Sequence, residues 1–281
     1  MIVQFWGTRG SIATPGPATM RYGGDTSCVE VRAGDGDPEH IVVLDAGTGI
    51  RRFGGSIDAA TRRVDIMLSH LHMDHIQGLG FCGALFRPGL EVHLWGPSTV
   101  RQSLRQRLQR YLSPPLFPVR LHELPCDLHL HDVANASFDV PGIHVDCEFV
   151  CHPGLTVGYR LTDRASTLTY LSDHDPALGH QVFPPDPTWT SGFRLARDAD
   201  LLIHDAQFTR DQYLTRAGWG HATLDHACEF ALHVGARRLA AFHHDPLNDD
   251  DTIDELLVAA IDRYAPDLDV FGARDDLVVS V

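Results

Sequence analysis

Residues 70–75 of the segment Leu68-Ser69-His70-Leu71-His72-Met73-Asp74-His75 hold three histidines and one aspartate. Imidazole and carboxylate are borderline-to-hard donors that suit zinc, manganese or iron. The apolar run before them reads as a strand over 64–69, so the chain leaves a sheet at His70. Alternate positions of an extended chain face the same way, which lets His70 and His72 address one ion together. The following turn would present Asp74 and His75 to a second ion. The plain alternative is a histidine-rich surface turn, and three histidines with an acid at a strand end argue against it.

One short cluster cannot complete two ions, because zinc takes about four ligands and a binuclear site also needs a bridge. Later strand ends supply the candidates. His152 precedes Pro153-Gly154, Asp173 follows Leu168-Thr169-Tyr170-Leu171-Ser172, and His243 follows Leu239-Ala240-Ala241-Phe242. Each alone is commonly a capping or polar core residue. Together, at the C-terminal mouths of strands, they form a site. Of the doublet His243-His244, the first directly ends its strand and is the preferred ligand.

The elements that would position these residues interleave. Strands are predicted over 2–6, 28–32, 41–45, 64–69, 91–95, 143–150, 157–161, 168–172, 201–204 and 239–242, and helices over 97–111, 207–217, 224–234 and 251–264. Early hairpins without intervening helices disfavour an ordinary doubly wound sheet. Two β-rich layers flanked by helices, an α/β fold of αββα sandwich type, fit the order. Runs such as Leu239 to Phe242 are apolar without alternation and suit strands buried on both faces. No repeat or low-complexity linker divides the 281 residues, so a single domain over 1–281 is expected. Gly7-Thr8-Arg9-Gly10-Ser11 and Asp45-Ala46-Gly47-Thr48-Gly49 lack the spacing of a dinucleotide or phosphate loop and read as tight turns near the site.

The His-x-His-x-Asp-His motif with its later His, Asp and His resembles the metallo-β-lactamase superfamily. Further stretches extend the likeness over nearly the whole chain. They are Gly7-Thr8-Arg9-Gly10-Ser11, Arg21-Tyr22-Gly23-Gly24-Asp25-Thr26-Ser27-Cys28, His204-Asp205-Ala206-Gln207-Phe208, Gly218-Trp219-Gly220-His221 and Phe242-His243-His244-Asp245-Pro246. They look like the phosphodiesterase branch related to tRNase Z. Ala13 and Asp25 depart from the usual pattern, where Pro and Asn are expected. The resemblance implies that His70, His72 and His152 hold one ion, that Asp74, His75 and His243 hold the other, and that Asp173 bridges them. It implies zinc first, with manganese or iron as alternatives. It also implies that Asp205 orients His221 as a proton donor, with Asp74 orienting water, and that Asp45 supports the metal loop by hydrogen bonds. The competing reading makes Asp205 and His221 helix caps near Gln207 and Thr223. A homodimer is implied by the resemblance alone.

The net charge is −14, which opposes a surface built to coat nucleic acid or an anionic membrane. The densest basic run, 101–111, reads as a solvated helix face or as a lid that meets an anionic substrate. No apolar stretch is long enough to span a membrane. Met1 leads directly into Ile2-Val3-Gln4-Phe5-Trp6 without a leader-like pattern, and six cysteines show no CxxC pair, so a cytoplasmic protein with reduced thiols is expected. The remaining histidines, among them His93, His129, His131, His174 and His180, have no partner spacing and read as structural or exposed. The sequence thus points to a binuclear hydrolase, foremost a phosphodiesterase acting on a small cyclic or linear phosphodiester such as a cyclic nucleotide. Acyl-carbon hydrolysis (lactonase, thioesterase or β-lactamase type) and RNA processing are the alternatives.

Overall fold

The computed structural model describes residues 1–281 apart from 35, 180–182, 185 and 266. His180 therefore lies outside the described residues. The chain opens with β1 (Ile2–Gly7), β2 (Cys28–Arg32) and β3 (His40–Leu44), followed by α1 (Ile50–Ser56) and β4 (Arg63–Met67). A single helical turn α2 (Met73–Ile76), β5 (Glu91–Pro97), α3 (Leu104–Tyr111) and β6 (Asp127–Val133) complete the first half. The second half runs β7 (Ala136–Val140), β8 (Ile143–Phe149), β9 (Val157–Thr162), β10 (Thr167–Leu171), α4 (Phe193–Ala196), β11 (Leu201–Asp205), α5 (Arg210–Arg216), α6 (Leu224–Val234), β12 (Arg238–Phe242), α7 (Asp250–Tyr264), β13 (Asp269–Gly272) and β14 (Val278–Ser280).

The strands form two seven-stranded sheets, ordered β14-β1-β2-β3-β4-β5-β6 and β13-β12-β11-β10-β9-β8-β7. In each sheet one side is antiparallel and the other parallel: β3 to β6 in the first, β10 to β13 in the second. The αββα expectation holds. Val42, Leu44 and Met67 of the first sheet share a core with Tyr159, Tyr170, Ile203 and Phe242 of the second. The alternate residues Ile41, Val43, Val64 and Ile66 face the other way, onto Ile50, Phe53, Leu104 and Leu108. Leu239 and Ala241 likewise meet α6 and α7, while Ala240 and Phe242 enter the inter-sheet core. Burial on both faces explains why these strands are apolar without alternation.

Helix starts follow local chemistry. Ser103 and Gln106 form a reciprocal capping box at α3, Thr223 accepts the His226 N–H at α6, and α6 stops at Gly235 in the left-handed region, φ 72°. The helix expected over 97–111 is shorter because β5 continues to Pro97 and Ser103 sets the start. Strands β6, β7, β13 and β14 go beyond the sequence expectation, and each lies toward a sheet end, where half-polar sequences hide the pattern. No helix among the described residues is long and apolar enough to cross a membrane. The six cysteines form no disulfide.

Candidate metal centre

The C-terminal ends of the parallel strands β3, β4, β10, β11 and β12 open toward one place, the usual mouth of such sheets. Past β4 the chain stays extended through His72, φ −67° and ψ 156°, and then turns into α2. That geometry sends His70 and His72 to one side and lets the turn deliver Asp74 and His75. Leu171 ends β10 two residues before Asp173, and Phe242 ends β12 just before His243. His152 arrives from the loop after β8.

Two groups of donor atoms result, each within 4.8 Å: His70, His72, His152 and Asp173, then Asp74, His75, Asp173 and His243. Asp173 belongs to both, and its two oxygens divide between them. Oδ2 lies 3.7 Å from His70 Nε2 and 3.6 Å from His152 Nε2. Oδ1 lies 3.0 Å from His75 Nε2 and 3.3 Å from His243 Nε2. Asp74 Oδ2 sits 3.2 Å from both His75 Nε2 and His243 Nε2. His70 Nε2, His75 Nε2 and Asp173 Oδ1 are buried without a hydrogen-bond partner. Buried orphans of this kind are costly unless something satisfies them, and converging imidazole and carboxylate atoms are the donor set of a divalent ion. The residues fit such ions.

The opposite ring nitrogens are occupied. His75 Nδ1–H donates to Asp45 Oδ2 at 2.8 Å, and His152 Nδ1–H to the Gly220 carbonyl at 2.8 Å. His243 Nδ1–H donates to Gln207 Oε1 at 3.2 Å. Each bond occupies Nδ1 and orients the ring with Nε2 toward the centre. Asp45 is fully buried and held at φ 61°; it also accepts from Ser69 N, Ser69 Oγ and Tyr170 Oη. It therefore braces the loop from beneath. Backbone strain at such a position is tolerated only where the surroundings enforce it. Gly10 approaches His243 so closely that a Cβ there would lie 2.5 Å from Nδ1.

Burial holds His70, His72 and His152 below the usual histidine range, so they are neutral as ligation requires. Burial opposes charge on His75 too, yet Asp173, Asp74 and Asp45 together raise it well above that range. Burial likewise works against the Asp173 carboxylate, but the neighbouring imidazoles, His243 and His75 foremost, hold it well below the usual carboxylate range.

A third grouping joins Asp205, His221 and His243. His221 Nδ1 is 2.6 Å from Asp205 Oδ2, and its ring stacks on His243 at 5.0 Å. Burial disfavours the imidazolium, but Asp205, Asp173 and Asp74 raise His221 to about 9. Asp205 Oδ1 accepts from the Gln207 and Ala222 N–H groups, which locks the carboxylate. Thr209 and Thr223 cap α5 and α6, so neither Asp205 nor His221 serves as a helix cap. His204 turns away and meets His174 at 2.9 Å. His244 also turns away, donating to the Ala273 carbonyl, so His243 is the member of the doublet that faces the cluster. Ser11 N–H donates to Asp74 Oδ2 at 2.8 Å, and Ser11 Oγ accepts from Gln207 Nε2. Ser11, Gln207 and Tyr170 are supports that residue type alone did not single out, although Ser11 and Gln207 sit in stretches that carry the family likeness. On the rim, Arg107, Arg110, Tyr111 and Leu116 share a cleft with Leu71 and Met73, the neighbours of His72.

Comparison with known proteins agrees with this architecture. A family model described as a Beta-lactamase superfamily domain matches residues 40–244, and the chain belongs to that superfamily. It is a hydrolase of the metallo-β-lactamase fold. It is 26% identical to a ribonuclease Z of Myxococcus xanthus over 277 residues, covering 82% of this chain and 85% of the relative. Its fold is similar to that of YhfI from Bacillus subtilis, a metallo-β-lactamase fold protein, with a TM-score of 0.71, 18% identity and coverage of 99% and 98%. It is also similar to a diphosphatase from the PhnP family, with a TM-score of 0.65, 17% identity and coverage of 99% and 96%.

Proposed function

We propose that this chain is a two-metal phosphodiesterase acting on a small cyclic or linear phosphodiester such as a cyclic nucleotide. In this reading His70, His72 and His152 would hold one ion and Asp74, His75 and His243 the other, with Asp173 shared between them. The imidazole-rich donor set favours zinc, with manganese or iron as alternatives. Two such ions would supply Lewis acidity to a phosphoryl oxygen and make water a usable nucleophile near neutral pH.

The observation that carries the phosphodiester reading is the Asp205–His221 pair at 2.6 Å beside the two donor groups. Hydrolysis at phosphorus expels an alkoxide, which needs a proton. Asp205 holds Nδ1 of His221, so the proton at Nε2 is the one free to move to the leaving oxygen. The Ser11 N–H fixes Asp74 Oδ2, and the other carboxylate oxygen would orient the attacking water. Asp205 thus positions His221, and Ser11 positions Asp74. Ribonuclease Z relatives favour a second reading, cleavage of an RNA phosphodiester. The chain's charge of −14 favours the smaller substrate.

The test is a panel of bis(p-nitrophenyl) phosphate, a cyclic nucleotide, a precursor tRNA, a lactone and nitrocefin, each assayed with zinc and with manganese. Turnover of the first two, with the cyclic nucleotide outrunning the tRNA, is expected. A preference for the lactone or nitrocefin would overturn the reading, and a preference for the tRNA would replace it with the second.

A further inference from the structure

Two residues before His221 the chain carries a largely exposed aromatic side chain. Trp219 is 62% exposed, whereas Trp6 is buried. Its backbone is nevertheless fixed on both sides. Gly218 and Gly220 both occupy the left-handed region, at φ 85° and 86°. The Gly220 carbonyl accepts from His152 Nδ1, and a Cβ at Gly220 would lie 2.2 Å from Pro153 Cδ and 2.7 Å from His152 Nδ1. Only glycine fits there, so the mount of the indole is welded to a proposed ligand of the first ion.

The side chain is held as well. The Arg216 guanidinium lies 5.7 Å from the Trp219 ring and 5.2 Å from the Phe208 ring, and Asp245 Oδ2 anchors it at 3.1 Å. Phe208 in turn meets His221 edge-on at 5.4 Å. A cation therefore backs the indole on one side, while most of its surface stays in solvent. Two residues of chain reach at most about 7 Å, so the Trp219 backbone lies within about that distance of the His221 backbone, and the indole connects to His221 through Arg216 and Phe208. His221 is the group that meets the leaving alcohol in the proposed reaction, and Trp219 is carried on the same short loop, one glycine away.

We infer that Trp219 is a stacking platform for a flat aromatic group, foremost a nucleobase, on the leaving side of the substrate. The inference rests on the phosphodiesterase reading and narrows its substrate class to nucleoside-bearing esters. Stacking suits any base, because every base offers a π-face, so the site selects for the presence of a base rather than its identity. Arg216 and the flanking glycines act as positioning elements for the indole.

The experiment compares equilibrium binding of adenosine 5′-monophosphate and ribose 5-phosphate to the metal-loaded wild type, Trp219→Phe and Trp219→Ala, by calorimetry and by tryptophan fluorescence. The wild type should bind the adenylate more tightly than the sugar phosphate, and the adenylate should quench its emission. Trp219→Ala should lose roughly 5- to 100-fold in adenylate affinity, the usual worth of one stacked base, with ribose 5-phosphate unchanged. Trp219→Phe should keep most of the discrimination and lose the quench. Equal binding of the two ligands by the wild type, or equal weakening of both in Trp219→Ala, would overturn the platform. So would dissociation of an oligomer in Trp219→Ala with base discrimination intact, which would assign the indole to a subunit contact. These binding results do not depend on turnover. A wild type that discriminates for the base yet hydrolyses no phosphodiester would sink the proposed reaction and leave the platform standing.

Discussion

The histidines at the mouth of the sheets and those lying across β5 and β6 are both stacked and flanked by carboxylates, but their ring nitrogens are used differently. In the second region His93 pairs in register with His129, and Trp95 with His131. His93 stacks on His129 at 4.7 Å, and His131 on Trp95 at 3.8 Å. Both nitrogens of His93 are spent, Nδ1 on His131 at 2.8 Å and Nε2 on Glu91 at 2.6 Å. In the first region His75, His152 and His243 each spend one nitrogen on a support and turn the other toward the shared Asp173, and Nε2 of His70 and of His75 has no hydrogen-bond partner. The groups able to hold an ion among the described residues all lie in that first region. Convergence of unpartnered donors therefore marks a site, whereas a high local count of histidines does not.

The sharpest way to break the contrast is to remove the carboxylate common to both donor groups. Asp173→Ala should lose both ions and reduce phosphodiester hydrolysis to background, because each group then keeps only three donors around an uncompensated space. Elemental analysis with one chromogenic assay reads the outcome, and an active variant retaining two ions would refute the bridge. Asp74→Ala should also inactivate, but it should weaken the second ion more than the first, since this carboxylate belongs to one group only. Calorimetric titration that finds both ions equally weakened would count against the division.

His221→Ala comes next. Both ions should stay bound, because His221 is assigned to neither. Loss of a general acid typically costs ~10²–10⁴-fold, and the cost should follow the leaving group. A p-nitrophenolate departs without much help, so bis(p-nitrophenyl) phosphate should suffer mildly and a cyclic nucleotide severely. Equal slowing of both esters would remove the proton-donor role. A smaller effect is expected from Asp45→Asn. It leaves all seven proposed ligands in place but weakens the brace under His75 and Ser69, and outer partners of this kind are typically worth 10–100-fold in metal affinity or activity. Unchanged metal affinity would make the buried Asp45 network purely structural.

How much of this was legible beforehand depended on how local the signal was. His70 to His75 could be read because their geometry is set by one strand and one turn. His152, Asp173 and His243 were legible as strand ends, with the family likeness to order them. Asp205 and His221 could be paired only through that likeness, since they lie 16 positions apart, across loop and helix. Tyr170 as a support of Asp45 was not legible, because that contact spans 125 residues and two sheets. The stacking of His93 on His129 was equally hidden. It depends on the register of β5 against β6, and β6 is half-polar, alternating Leu128 and Leu130 with His129 and His131. Interior strands such as β3 and β12 announced themselves by unbroken apolar runs, whereas the half-polar β6 at a sheet end did not.

The mildest test acts on the second region itself. His131→Ala removes a ring stacked on Trp95 and a partner of His93, and it touches no proposed ligand. Metal content and turnover should stay at wild-type values, and stability at neutral pH should fall by about 1–2 kcal/mol, the usual worth of one aromatic contact and one hydrogen bond. The acid side carries the sharper signature. Burial first, then His93 and His129, lower His131 from its ordinary 6.5, against an opposing pull from Asp65. A histidine depressed in the folded state is protonated more readily in the unfolded chain. Its folded form is therefore favoured above 6.5, and that advantage is lost as pH falls through 6.5 toward the lower folded value. Arg63 also disfavours the imidazolium. Denaturant titrations near neutral pH and about one and a half units lower should thus show the wild type losing more stability than His131→Ala. A wild type that binds a third transition-metal ion, released by His131→Ala, would erase the distinction between the two regions. An identical acid response in both proteins would instead leave the ordinary imidazole–imidazole contact intact but deny it any part in pH-dependent stability.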